Sequence, residues 1–242
     1  MNWYELQNFV HRKLLSAGWR VQREVPAPEG WSCGRTYWDA AYIQRLGFRP
    51  ATVIDVGVGH GTTELYRAFP DAFLLLIEPV AEFTADIDRI LAARRGVHVP
   101  VALGSAPGET DLFVEPRLPQ LTSFYKRDRL EQTGDRPDIR RIQVETLDRV
   151  IAAQPYARPF GLKIDAEGAE LDILQGAAAT LRDTEFLILE VSVPRRFEGG
   201  YRFAGMIAEL DRRGFAMVDI LDIGRADTSQ VTFLDLVFQR QV

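Results

Sequence analysis

Short, mainly apolar runs that alternate with segments of helical spacing are the feature that most constrains the fold of this chain. Three of these runs are Thr52–Val56, Phe73–Ile77 and Phe160–Ile164. Strands that are buried on both faces have this composition, because helices cover both sides of a parallel sheet. The pattern predicts a doubly wound α/β domain built on a mostly parallel, seven-stranded sheet.

The end of the chain departs from this alternation. Its last two predicted strands, Phe215–Ile220 and Leu234–Gln239, are separated only by the turn-rich stretch Asp222–Ser229. Parallel neighbours need a long crossover, whereas antiparallel neighbours can share a loop. We therefore expect the sheet to end in an antiparallel hairpin.

A glycine-rich turn follows the first buried strand in the sequence VIDVGVGHG, residues Val53 to Gly61. Glycines at this point let the backbone turn sharply and approach a ligand closely. Glu78 ends the next predicted strand, where a carboxylate can accept hydrogen bonds from the two hydroxyls of a ribose. The combination predicts a site for a cofactor that contains a ribose.

Two cofactors share this layout, a nicotinamide dinucleotide and S-adenosylmethionine. A dinucleotide site usually has the spacing GxGxxG around its pyrophosphate, whereas this chain has GxGxG. Asp55 would lie close to a pyrophosphate and repel it, but it suits the cationic methionyl end of S-adenosylmethionine. The turn and the C-terminal hairpin favour S-adenosylmethionine.

A second informative stretch, LKIDAEGAELDILQGA, runs from Leu162 to Ala177. Asp165 and Glu167 follow a predicted strand at the sheet edge where ligands bind in such folds. Two acids at one strand end repel each other unless a ligand, a lysine or a metal compensates. Glu170, in the first turn of the next helix, suits helix capping about as well as a functional role.

Together these stretches resemble the FkbM-type methyltransferase family. Further matching pieces are IEP (Ile77 to Pro79), VETLDRVI (Val144 to Ile151), LILEVS (Leu187 to Ser192) and the closing RRGF and LDLVFQR. The resemblance spans roughly residues 50 to 240 and implies a class I methyltransferase fold. It also implies methyl transfer from S-adenosylmethionine to hydroxyl groups, often on sugars or secondary metabolites.

The resemblance implies a role for individual residues. The cofactor would be held by Asp55, Gly57, Gly59, Gly61 and Glu78. We add Ala102 and Leu103, which end the third predicted strand, Val97–Leu103, and His60. His60 replaces the usual asparagine of the turn, and it would either cover the cofactor or cap the following helix.

Lys163, Asp165 and Glu167 would face the reacting end of the cofactor. An alcohol is a poor nucleophile near neutral pH, so a base or a metal is normally required. We expect Asp165 to orient or deprotonate the acceptor, with Glu167 second and Lys163 as the electrostatic partner. Only two carboxylates are evident, so we predict no resident metal, with Mg²⁺ as the alternative.

The charge and composition limit the possible partners of the protein and its cellular compartment. A net charge of −5 argues against a broad nucleic-acid surface, so we expect a small-molecule or glycan acceptor. The sequence is compatible with a homo-oligomer. The single cysteine, Cys33, and an N-terminal stretch without a continuous apolar run favour a cytoplasmic protein without a membrane span.

Two regions lie outside these motifs. Residues 1–50 are expected to form a helical extension on a main domain of residues 51–242, with helices at Tyr4–Ala17 and Thr36–Leu46. The stretch Arg117–Pro137 is predicted to be a long polar loop. Its arginines, together with those up to Arg141, would either form a lid over an anionic or glycan acceptor or be solvated.

Two further function classes remain open at this level. The first is a nicotinamide-dependent oxidoreductase, which titration with NAD(H) would reveal. The second is a cofactor-binding partner protein without catalytic activity, which turnover on a substrate panel would exclude.

Overall fold

The computed structural model describes residues 38–115, 119–126, 137–225 and 230–241. These residues belong to the compact unit Thr36–Val242. The predicted helix Tyr4–Ala17 lies outside the described residues. The N-terminal extension therefore stays a prediction, and only residues 38–50 of it are described.

The main sheet has seven strands. Their bounds are Thr52–Val56 (β1), Phe73–Ile77 (β2), Gly96–Val99 (β3), Phe160–Ile164 (β7), Thr184–Ser192 (β8), Phe215–Arg225 (β9) and Val231–Arg240 (β10). Their spatial order is β3-β2-β1-β7-β8-β10-β9. The five neighbouring strands β3, β2, β1, β7 and β8 are parallel to one another, while β10 is antiparallel to both β8 and β9. The predicted doubly wound sheet with a C-terminal hairpin is confirmed.

A second, three-stranded sheet contains Ala102–Leu103 (β4), Gly108–Val114 (β5) and Asp138–Glu145 (β6), in the order β4-β6-β5. The predicted third strand, Val97–Leu103, is therefore wrong in its length. β3 ends at Val99, before Pro100, which has no amide hydrogen to continue the ladder. β6 therefore belongs to this side sheet and not to the main sheet.

Six α-helices occur in the described residues. They are Ala40–Arg45 (α1), Thr63–Ala68 (α2), Thr84–Ala93 (α3), Leu147–Ala152 (α4), Glu170–Gln175 (α5) and Phe203–Arg212 (α6). Helix α5 has only six residues. It stops because Gly176 packs against Gly104, where a Cβ would lie 2.2 Å from the carbonyl oxygen. The Gly176 carbonyl accepts a hydrogen bond from the Asp148 amide instead of one from the helix.

The core lies on both faces of the main sheet. Ile54 and Leu162 contribute to one buried cluster, and Val53 and Leu74 contribute to the other. Successive side chains of a strand point to opposite faces, so a strand that is covered on both sides must be apolar throughout. This arrangement explains the continuous apolar runs of the central strands, in which the charged residues Asp55 and Lys163 lie close to the carboxyl ends.

Candidate active site

A cavity of about 460 Å³ opens at the carboxyl ends of β1, β2 and β7. Its volume is within the usual range of ligand sites, roughly 300 to 1,000 Å³. The chain leaves β1 towards β2 on one side, and β7 lies on the other, so the cavity occupies the switch point of the sheet. Ligands bind at this position in open α/β sheets.

The glycine turn forms the floor of the cavity. Gly57, Gly59 and Gly61 all have positive φ, at 75°, 52° and 99°. A Cβ on Gly57 would lie 1.7 Å from the carbonyl oxygen of Asp165, so this glycine lets the ends of β1 and β7 approach. A Cβ on Gly59 would meet no atom within 4 Å, because it would point into open space. Gly59 therefore leaves room for a ligand.

Glu78 directly follows β2 on the wall of the cavity, with 5% of its surface exposed. Its Oε2 accepts a hydrogen bond of 3.0 Å from the Gly59 amide, and its Oε1 accepts one of 2.9 Å from the Val80 amide. Burial raises the pKa of Glu78, and these two amides oppose the rise. Each oxygen keeps a second lone pair, so the carboxylate can also accept hydrogen bonds from a ribose.

Asp55 does not line the cavity. It is fully buried beneath the glycine turn, where Tyr66 donates a 2.5 Å hydrogen bond to Oδ2 and Lys163 Nζ lies 3.3 Å from Oδ1. Burial and the charge of Asp55 raise the pKa of the Tyr66 hydroxyl, which stays a donor. The placement differs from the direct cofactor contact expected from the sequence, and it favours an indirect role.

Lys163 joins the two loops of the site. Its ammonium lies 3.3 Å from Asp55 and 3.4 Å from Asp165, and it donates to the carbonyl of Gly57 at 3.2 Å. Burial alone would lower the pKa of Lys163, but the charges of Asp55, Asp165 and Asp235 raise it overall. Lys163 is therefore charged at neutral pH and compensates the acids around it.

Asp165 and Glu167 both line the cavity. The Asp165 side chain is 36% exposed, whereas Glu167 lies 3.4 Å from buried Arg196. Glu167 has a φ of 46°, an unusual conformation for a residue other than glycine. Such strain is found mainly where the surrounding structure holds a functional loop in place.

Glu170 supports this loop from below. Its carboxylate accepts hydrogen bonds from the amides of Ala166 and Gly168, each at 3.0 Å. Burial raises its pKa to about 7, and the hydrogen bond from Gly168 opposes that rise. Glu170 therefore holds the loop that precedes α5, and its carboxylate binds amides of this loop rather than capping the helix.

His60, Ala102 and Leu103 all line the cavity on the side of β2 and the side sheet. His60 does not cap α2, because its Nδ1 lies 2.7 Å from Asp86 and its ring packs edge-on against Phe83. Val80, Phe83 and Leu103 form an apolar wall at this end. Such a wall suits the flat ring of an adenine.

Trp38 and Asp235 line the opposite end of the cavity, and sequence reasoning missed both. Trp38 Nε1 donates a 2.5 Å hydrogen bond to Asp235 Oδ2. Asp235 lies directly opposite Glu190 in the register of β10 and β8. The sequence contains one indication of this site, the aspartate inside the otherwise apolar strand LDLVF. Aspartates are rarely buried unless a partner or a function requires them there.

The segment 119–126 closes the cavity from the side. Thr122, Ser123 and Phe124 line it, and Ser123 Oγ donates to the Glu167 carbonyl at 2.6 Å. This segment is the described part of the predicted polar loop. The loop ends before Arg140 and Arg141, which lie in β6 and pair with surface acids. Residues 127–136 lie outside the described part of the chain.

Within the described ranges, no group of three or more histidine, cysteine or acidic side chains is placed to hold a metal ion. Over the same ranges, no helix is long and apolar enough to cross a membrane.

The sheet order, the glycine turn and the acid after β2 define a class I methyltransferase. The model of the methyltransferase FkbM domain matches residues 55–217. Since this match covers more than half of the chain, the protein belongs to the FkbM methyltransferase family and uses S-adenosylmethionine as its cofactor. The nicotinamide alternative is thereby set aside. No curated protein sequence matches the chain.

Several methyltransferases of known structure are similar to this chain at low sequence identity. Magnesium protoporphyrin IX methyltransferase from Synechocystis PCC 6803, with bound SAM, is 11% identical with a TM-score of 0.45, over 84% of this chain and 76% of that one. The 1,6-didemethyltoxoflavin N1-methyltransferase of Burkholderia thailandensis is 14% identical with a TM-score of 0.44, over the same shares. Fibrillarin from Aeropyrum pernix is 12% identical with a TM-score of 0.43, over 83% and 76%.

Proposed function

We propose that this methyltransferase methylates a hydroxyl oxygen of a small-molecule or glycan acceptor. The observation that carries the proposal is the acidic end of the cavity, where Asp165, Glu167 and Asp235 face the space beyond the glycine turn. Carboxylates accept hydrogen bonds from hydroxyls and can take up their protons. The aromatic face of Trp38 suits the apolar side of a sugar or a ring.

The cofactor would lie across the glycine turn. S-adenosylmethionine supplies a methyl group on a positively charged sulfur. Glu78 would bind the ribose hydroxyls, Val80, Phe83 and Leu103 would contact the adenine, and Ala102 and His60 would complete this end. The amides near Gly59 and Gly61 would bind the methionyl group. Asp55 would act indirectly, by holding Lys163 and Tyr66 beneath the turn.

The acceptor would lie next to Asp165. Methyl transfer is an in-line displacement, so most of the rate comes from holding the acceptor oxygen in position. Asp165 would orient the hydroxyl, and Glu167, fixed by Arg196, would bind a neighbouring hydroxyl. The ammonium of Lys163 would stabilise the negative charge of Asp165.

A panel assay tests the proposal. The protein is incubated with S-adenosylmethionine that carries a labelled methyl group, together with neutral monosaccharides, the matching uronic acids, amino sugars and simple phenols. We expect O-methyl products, with the neutral sugars favoured over their uronic acids by roughly tenfold or more, because like charges repel in a buried site. Methyl groups found only on nitrogen would contradict O-methylation. A complete absence of product would favour a non-catalytic partner protein.

A further inference from the structure

We propose that Asp235 takes the proton from the acceptor hydroxyl, and that Trp38 holds its carboxylate in the orientation this requires. The inference rests on the proposed hydroxyl acceptor and adds a catalytic residue on a strand that carries none of the predicted site residues. It divides the work at the acidic end between Asp165, which orients the acceptor, and Asp235, which receives the proton.

The register of the sheet places Asp235 and Asp165 in one row of acids, with Glu190 between them. Asp235 is opposite Glu190 across β10 and β8, and Glu190 follows Leu189, which is level with Ile164 of β7. Asp165 comes directly after Ile164, so the three acids form a row across three neighbouring strands. Asp165 and Asp235, at the two ends of this row, line the cavity, whereas Glu190 does not.

The partners of the three acids differ. Asp165 lies 3.4 Å from Lys163, and Glu190 lies 2.9 Å from Arg196. Asp235 forms no salt bridge with any described residue. Its single side-chain hydrogen bond within the described ranges comes from the Trp38 indole to Oδ2. Oδ1 is therefore available to a hydroxyl in the cavity, while the indole fixes the plane of the carboxylate.

The charges around Asp235 suit a base. Burial raises its pKa to about 6, the hydrogen bond from Trp38 opposes the rise, and Asp165 adds to it. Lys163 lowers this pKa, while Asp222, the neighbouring acid on β9, raises it. Glu190 faces Asp235 from β8, and burial and nearby acids raise the pKa of Glu190 too. A carboxylate that titrates near 6 is ionised at neutral pH and is more basic than an ordinary aspartate.

The step is balanced in charge. The proton passes from the acceptor hydroxyl to Asp235 Oδ1 as the oxygen forms its bond to the methyl carbon and the carbon–sulfur bond breaks. The carboxylate becomes a neutral carboxyl group, and S-adenosylhomocysteine leaves as a neutral thioether. One positive and one negative charge disappear together, so the buried site gains no net charge. The proton then returns to solvent.

Asp219 provides a matched control. Tyr42 donates a hydrogen bond to Asp219 on β9, just as Trp38 donates one to Asp235 on β10. Both contacts attach the region of α1 to the hairpin, but Asp219 does not line the cavity. If Asp235 only anchors Trp38, Asp235→Asn and Asp219→Asn should have similar effects.

The first experiment measures kcat against pH for the best acceptor of the panel. We expect Asp235→Asn to lower kcat by roughly 10²-fold, the scale for losing a general base, and to remove the acid limb of the profile. Asp219→Asn should stay within about twofold of the parent. Asp165→Asn should lose turnover but retain the acid limb of the pH profile.

Trp38→Phe tests the role of the indole. Loss of the hydrogen bond that lowers the Asp235 pKa should move the acid limb of the pH profile to higher pH. Parental turnover in Asp235→Asn, or an unmoved limb in Trp38→Phe, would overturn the inference.

The second experiment needs no acceptor. The protein is labelled with ¹³C at its aspartate carboxyl carbons, and the Asp235 resonance is assigned by its absence from Asp235→Asn. We expect this resonance to titrate near pH 6 and to shift upward in Trp38→Phe. If no hydroxyl compound of the panel is methylated, the proposed O-methylation fails, whereas the titration tests the assignment of Asp235 as the base separately from that result. An Asp235 carboxyl that titrates as an ordinary aspartate would overturn that assignment.

Discussion

The backbones of Gly57 and Asp165 touch so closely that a Cβ on Gly57 would fall 1.7 Å from the Asp165 carbonyl oxygen. The loop that would hold the cofactor and the loop that would hold the acceptor are therefore packed directly on each other. Lys163 strengthens this contact, since its ammonium lies near Asp55, Asp165 and the Gly57 carbonyl.

The two central glycines of the turn should respond differently to the same change. Gly57→Ala forces two backbones apart, so we expect a protein that does not fold or melts at a much lower temperature. Gly59→Ala meets no protein atom, although its positive φ costs about 1 to 2 kcal/mol. It should fold, yet bind S-adenosylhomocysteine much more weakly. Thermal melts and calorimetric titration measure both effects. Parental affinity in Gly59→Ala would mean that the cofactor does not use this space.

Glu78→Gln tests the ribose contact with the smallest change of shape, although its single acceptor oxygen can keep only one of the hydrogen bonds from the Gly59 and Val80 amides. The glutamine keeps the shape and one acceptor oxygen, but it loses the charge that strengthens hydrogen bonds from hydroxyls. We expect the Kd for S-adenosylhomocysteine to rise about tenfold or more, and the melting temperature to fall modestly because one of the two amides loses its acceptor. Calorimetry measures the affinity, and an unchanged Kd would remove Glu78 from the site.

Asp165→Asn separates acceptor chemistry from cofactor binding. The asparagine keeps the shape but removes the charge that faces the cavity. Turnover should fall by roughly 10²-fold, while the affinity for S-adenosylmethionine stays within a few-fold of the parent. A single-turnover assay and a calorimetric titration give the two quantities. If turnover is retained, Glu167 becomes the better candidate for orienting the hydroxyl.

Glu170 should make stability depend on pH. Its pKa is raised from 4.5 to about 7 in the folded protein, so folding is favoured by its protonated form. The contribution of protonated Glu170 to the free energy of unfolding is fully present below the unfolded pKa of 4.5 and is lost as the pH rises through 7. The free energy of unfolding should therefore fall by roughly 3 kcal/mol across this range. Glu170→Gln cannot ionise, so its free energy of unfolding should change less between pH 5 and pH 8.

Denaturant unfolding at pH 5, 6, 7 and 8 measures this difference. Asp88→Asn, which changes an exposed acid of α3, serves as the control and should follow the parent. Equal pH dependence in the parent and in Glu170→Gln would show that Glu170 is not the group responsible.

The sheet was predictable from the sequence because strands covered on both faces must be apolar, and the hairpin because its two strands have no crossover between them. The sequence did not predict that Val97–Leu103 is divided between two sheets. Its apolar residues look continuous, and only the completed fold shows that Ala102–Leu103 pairs in the second sheet. Gly57 and Glu78 were identified from their place in the chain. The buried position of Asp55 depends on Tyr66 and Lys163, which approach from different elements.

Asp235 and Trp38 show what sequence patterns leave out. An acid in an apolar strand signals a buried carboxylate, but its neighbours follow from the register of β10 against β8. Trp38 precedes α1 and meets Asp235 across 197 positions of the chain. Contacts between residues so far apart depend on the completed fold rather than on local spacing.

The placement of β10 has a consequence for synthesis. β9 leaves the ribosome before β10, yet in the finished sheet β10 lies between β8 and β9. β9 therefore has no neighbour to pair with until the following strand emerges, and its unpaired edge is exposed for that interval. Since Asp235 lies on the late strand, the nascent chain can complete its cofactor loop well before the acidic end of the cavity is complete.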